Sequence, residues 1–183
     1  ISLRAPHLFD GHRIVDMAFG KAPLPLVWFI SSDGRLLANT YVPEQQIGAW
    51  HWHDTNGAFE SCAVVAEGDE DMLYVAVRRN INGQTKRYIE RLESRAFGAQ
   101  ENAFFVDSGL SYNGMPVKTL KQLGHLEGKT VSILADGAVH VPQTVTNGEI
   151  HLQHAAKKIH VGLPYLAELQ TLPVVGDIDN GKG

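Results

Sequence analysis

The sequence predicts an all-β protein: an antiparallel meander resembling part of a β-propeller, followed by a small β-barrel- or sandwich-like domain. Three observations carry this. Apolar runs rich in β-branched and aromatic residues recur at short intervals, while 3.6-residue periodicity is weak nearly everywhere. Glycine turns punctuate them, at Asp33-Gly34, Asn56-Gly57, Asn82-Gly83, Asp136-Gly137 and Asn147-Gly148. The hairpin form also repeats, with Gly34 and Gly83 standing 49 residues apart.

In chain order, "LVWFISSDGRLLANTYV" is a hairpin whose Asp33-Gly34 turn suits type I′ geometry, because both central positions then need positive φ. "QIGAWHWHD" and "AFESCAVVAEG" follow as two more strands, joined through Thr55-Asn56-Gly57. "MLYVAVRRNINGQTKRYIERL" repeats the hairpin around Asn82-Gly83. A continuous antiparallel meander is expected from Leu26 to Leu92, giving one four-stranded blade and the start of a second. A β-sandwich uses the same hairpins and stays open as the alternative. Packing in this region is assigned to Trp28, Trp50, Trp52, Val64, Tyr74 and Val75.

The expected organisation is a blade-like region at 1–92, a connecting segment at 93–123, a small β domain at 124–175 and a flexible tail at 176–183. The connection mixes glycine, polar residues and isolated aromatics, and is expected to pack through Phe104, Phe105 and Tyr112. The second strand series runs "KTVSILADG", "AVHVPQTVTNG", "EIHLQHAAKKIHVGL".

Bulk properties narrow the function. The net charge of −4 leaves no basic field to hold nucleic acid by its phosphates. The single cysteine, Cys62, lies in an apolar run and reads as a buried, inert thiol. No apolar run approaches the length of a membrane span. The first residue is not Met, and the chain reads as a piece of a longer protein.

"GHLEGKT", Gly124 to Thr130, imitates the end of a phosphate-binding P-loop. It is one residue short, and an apolar β-branched run follows where a P-loop opens a helix. It reads as a turn leading into a strand. His51 and His53 in "WHWHD" share one strand face, with Trp50 and Trp52 on the other. A His-x-His pair can ligate zinc, but a third and fourth ligand are needed, and His151, His154 and His160 show no matching spacing. The expectation is a strand with one face buried by tryptophan and one wet and polar. Glu67, Asp69, Glu70 and Asp71 could supply a carboxylate pair for a hydrolase, but four acids in a glycine loop read as a solvated turn. Arg78, Arg79, Lys86 and Arg87 make the Asn82-Gly83 hairpin locally basic. No catalytic, cofactor or metal residue is assigned, and the binding residues remain unknown.

The segments "HLFDGHRIVDMAF", "VWFISSDGRLLANTYVPEQQIGAWHWH", "LYVAVRRNINGQTKRYIERL", "FFVDSGLSYNG" and "LGHLEGKTVSILADGAVH" occur in that order. Together they resemble the tail nozzle proteins of short-tailed bacteriophages, also called tail tubular protein B-like, and their prophage relatives. The resemblance covers Pro6 to Pro173. Trp52 departs from the family pattern, which has arginine between the two histidines. The resemblance implies a longer protein with a propeller in each subunit, assembled as a hexameric ring at the distal end of the tail tube. It implies a structural role without catalysis, contact with a tail adaptor protein and transient passage of DNA. Synthesis would be in the bacterial cytoplasm and residence in the virion tail. A carbohydrate- or receptor-binding module, with the exposed side of "AWHWH" as its platform, is the alternative.

Overall fold

A computed structural model describes residues 5–45 and 47–169. These residues form eleven strands and no α-helix. They are β1 (Ile14–Gly20), β2 (Leu26–Ser31), β3 (Leu36–Val42), β4 (Ile47–His53), β5 (Ala58–Glu67), β6 (Glu70–Ile81), β7 (Gln84–Arg91), β8 (Asp107–Leu120), β9 (Thr130–Ala135), β10 (Ala138–Thr144) and β11 (Ile150–Leu163). Three antiparallel sheets result, ordered β1-β2-β3-β4, β5-β6-β7 and β10-β9-β11-β8. The all-β expectation holds.

Turn chemistry explains most of the connections. Asn82 and Gly83 both have positive φ (51° and 77°) between the paired residues Ile81 and Gln84, the two-residue type I′ pattern. Asp136-Gly137 does the same between Ala135 and Ala138. The β2–β3 turn differs from the expected type I′. Gly34 N–H donates to Ser31 C=O and Ser31 N–H to Arg35 C=O, so only Gly34 needs positive φ and the loop is one residue longer.

The expected continuous meander from Leu26 to Leu92 is corrected in two ways. It begins earlier, at β1, and it breaks between β4 and β5, which lie in different sheets. Gly57 sits at the break. A Cβ there would fall 2.4 Å from the Arg78 carbonyl oxygen, so only glycine lets the chain pass this close to β6. The two sheets then stack face to face. Trp28, Ile30, Leu36 and Ala38 of the first bury against Leu73, Val75 and Val77 of the second, with Phe59, Cys62 and Val64 beside them. Each fully buried large side chain of this kind contributes about 1.5–3 kcal/mol. Polar pins fix the stacking: Asp16 Oδ2 accepts from Cys62 N–H at 2.9 Å, and Asp71 Oδ2 accepts from the N–H groups of Lys21 and Ala22 at 2.6 and 2.9 Å.

The third sheet corrects the boundary drawn at 93–123. Residues 107–120 of that span form β8, which pairs with β11 from Leu120↔Ile150 to Asp107↔Leu163. Glycines and Pro116 hid its period, and the pairing itself carries register shifts. The sheet has its own core, including Leu123, Leu126, Val131, Ile133, Ile150, Ile159 and Val161. Its strands do not close into a barrel ladder. Side chains bridge the open seam instead: the Gln143 amide accepts from His151 N–H at 3.0 Å and donates to His151 C=O at 2.5 Å. The expected flexible tail at 176–183 lies outside the described residues.

One buried side chain ties the sheets together. Arg79 of β6 is 2% exposed. Its guanidinium donates to both Glu90 carboxylate oxygens at 2.6 Å, to Asp107 Oδ1 at 3.2 Å and to Asn56 C=O at 3.0 Å. Asp107 also accepts from Thr55 Oγ1 at 2.8 Å. These partners belong to β7, to β8 and to the connection between the first two sheets. Replacing Arg79 by Leu strands two partly buried carboxylates and should cost about 2–3 kcal/mol in urea unfolding, somewhat below the usual range for breaking a fully buried pair. A loss under about 0.5 kcal/mol, the size of an ordinary surface change, would contradict this role.

Candidate functional site

The His51–His53 strand is the first candidate. Cross-strand pairing places Leu36 beside His53 and Ala38 beside His51, so both histidines share the face carrying Trp28. Their rings lie 5.1 Å apart and each is 6.0 Å from Trp28. This face is therefore half-buried rather than wet, which corrects the expectation. Burial, then the neighbouring His51, pushes His53 down to about 4, with Asp54 opposing. Burial and then the Arg95 charge lower His51 too. Nε2 of His53 is enclosed without a protein hydrogen-bond partner among the described residues. Among those residues no group of three or more His, Cys, Asp or Glu side chains converges in metal-binding geometry.

The tryptophans separate. Trp50 is covered edge-on by Phe9 at 5.1 Å and by Phe29 at 5.5 Å. Trp52, assigned to packing, is 48% exposed, with the Arg35 guanidinium 5.5 Å above its ring. The expected platform on the outer side of "AWHWH" is thus reduced to one ring already stacked on a cation.

The acidic loop is spent on structure. Glu67 accepts from Tyr74 Oη and from Arg91 Nη1, Glu70 accepts from Ser94 Oγ, and Asp71 holds the Lys21-Ala22 backbone. No carboxylate pair is left facing a shared space. Cys62 is half-buried, and burial with Asp16 nearby pushes its thiol up to about 11, far from thiolate reactivity.

"GHLEGKT" forms a 3-10 turn at Gly124–Leu126 followed by β9. The N–H groups that a P-loop would aim at phosphate are consumed internally. Glu127 N–H donates to Gly124 C=O, Gly128 N–H to Val145 C=O at 3.0 Å and Lys129 N–H to Leu126 C=O at 2.9 Å. The Glu127 carboxylate accepts from the N–H groups of Asn147 and Gly148 at 2.9 and 2.7 Å, locking that turn.

The same loop walls a cleft of about 500 Å³ that the sequence did not reveal. Its other wall is the β6–β7 turn with Asn80, Ile81 and Asn82, and Asn56 joins from the sheet-to-sheet connection. His125 and Lys129 face them. Three distant stretches contribute, so no local spacing could have signalled it. No protein-family model matches the chain, and no curated protein matches it.

Two outcomes follow. Both histidines titrate near 6.5 when unfolded and lower when folded, so below pH 6.5 the unfolded chain binds more protons. Stability should be flat above about pH 7 and fall between 6.5 and about 4, by on the order of 2 kcal/mol. His53→Phe should flatten most of that slope in pH-resolved melts; an unchanged slope would refute the assignment. Lys129→Ala should alter stability by no more than about 0.5 kcal/mol, and calorimetric titration with ATP should show no binding heat, since the loop N–H groups are committed.

Proposed function

We propose that this chain is a structural segment of a short-tailed phage tail, part of a nozzle-type protein that walls the DNA-ejection conduit. The observation that carries the reading is an apolar sheet face without a cover. Met17, Phe19, Tyr41 and Trp52 project from the outer side of the first sheet and are 60%, 54%, 40% and 48% exposed. The short segment around Leu8 and Phe9 covers only its middle, over Leu37, Phe29 and Trp50. Patches of roughly a few hundred Å² on this scale mark interaction surfaces in otherwise soluble proteins.

The outer side of the second sheet is the opposite. Glu60 pairs with Arg78 and Arg87, and Glu67 with Arg91, in a charged lattice suited to solvent or to a polar neighbour. Stacked antiparallel sheets with one greasy and one charged outer side suit a repeating assembly, and a blade of a larger propeller has this form. The ordered sequence resemblance to tail nozzle proteins supports the same reading. So does the absence of a basic field, because a conduit must release DNA rather than grip it. No helix among the described residues is long and apolar enough to cross a membrane.

In this reading the longer protein closes its propeller over the apolar face and assembles as a six-fold ring on the tail adaptor. Light scattering and negative-stain microscopy of the full-length protein should show rings, alone or on purified tails. Phe19→Asp should leave the isolated chain folded, with a stability change within about 1 kcal/mol, yet impair full-length folding or assembly. A full-length protein that stays monomeric and ignores purified tails would remove the nozzle assignment.

A further inference from the structure

We propose that the cleft between the β6–β7 turn and the Gly124–Lys129 loop binds an acidic oligosaccharide. The site does not depend on the chain belonging to a phage tail.

The walls are held in place before any ligand arrives. Asn56 sits on the connection whose carbonyl accepts from buried Arg79, and Thr55 next to it donates to Asp107. Asn82 occupies a two-residue turn between the paired Ile81 and Gln84. His125 Nε2 donates to the Ser108 carbonyl at 3.0 Å, which leaves Nδ1 as an acceptor. Pre-formed polar walls avoid the ordering cost that weakens flexible sites.

Their chemistry selects the ligand. The side-chain amides of Asn56, Asn80 and Asn82 make no hydrogen bond within the described protein, and each offers both an acceptor and donors. Vicinal hydroxyls donate and accept at once, so sugars match such amides well. The His125 ring packs 6.2 Å from Tyr88, giving an aromatic surface suited to the C–H face of a pyranose. Glu127 is turned away into the Asn147-Gly148 turn, while the Lys129 ammonium has no ion-pair partner among the described residues. The charge left facing the cleft is therefore positive, and one cation suits one carboxylate per sugar repeat. A polyphosphate would need further cations or unspent N–H groups, and the loop has committed its own. An apolar ligand would find little beyond Ile81.

Saturation-transfer NMR and calorimetry on this chain, with hyaluronan tetrasaccharide, an α2,8-linked sialic acid tetramer and neutral maltotetraose, test the site. At least one acidic probe should bind in the millimolar range or tighter, and maltotetraose at least about fivefold more weakly. Lys129→Ala and Asn80→Ala should each weaken the acidic probe by about tenfold, with melting temperatures unchanged. Trp52→Ala should leave it alone. No transfer from either acidic probe overturns the proposal. So does full affinity in either cleft variant, loss of binding on Trp52→Ala, or equal binding of the neutral probe.

Discussion

The placement of the second sheet against both its neighbours depends on one buried guanidinium. Arg79 reaches Glu90 on the adjacent strand, Asn56 on the connection from the first sheet, and Asp107 at the first residue of β8. A fork of five donors can serve three elements at once, which an ammonium could not do with fixed geometry. The hydrogen bonds and opposite charges of Glu90 and Asp107 outweigh desolvation and raise the Arg79 pKa further, so the cation persists at any working pH. The apolar cores do not provide this link. The cluster around Trp28 and Val77 joins the first two sheets, and the cluster around Val131 and Ile159 belongs to the third alone.

The fold class was legible because turn chemistry is local. Asn82-Gly83 and Asp136-Gly137 carry their hairpins in two residues each, and the alternation beside them tells which side is buried. Sheet membership is not local. Gly57 looks like any other turn glycine, yet its role is to let the chain run against the Arg78 carbonyl and change sheets. Nothing within ten residues of it reveals that. β8 was hidden for the opposite reason: its glycines and Pro116 look like a loop, and only β11, beginning thirty residues after it, makes the strand.

The same distinction governs the candidate sites. His51 and His53 were visible as a pair, but their surroundings were not, because Trp28 comes from a strand two places away in the sheet. What reads as a ligand pair is a half-buried aromatic cluster that disfavours the imidazolium. "GHLEGKT" had the composition of an anion loop, and its backbone donors prove to be committed to Val145, Leu126 and Gly124. The cleft beside it joins residues 56, 80–82 and 125–129, which meet only because Arg79 and Asp107 bring the second and third sheets together.

This arrangement separates two kinds of surface within a small chain. The first sheet turns an apolar side outward, where burial is favourable with almost any complementary neighbour and specificity must come from shape. The polar cleft sits at the far junction, where hydrogen bonds set selectivity and add little unless well matched. The charged lattice of Glu60, Arg78 and Arg87 lies on the second sheet's outer side and tolerates water. An assembly that covers the apolar face can leave the cleft open, since the two lie on different sheets. A scaffold role through the first sheet and recognition through the cleft therefore need not compete, and each can be removed by substitutions that spare Arg79 and the fold it holds.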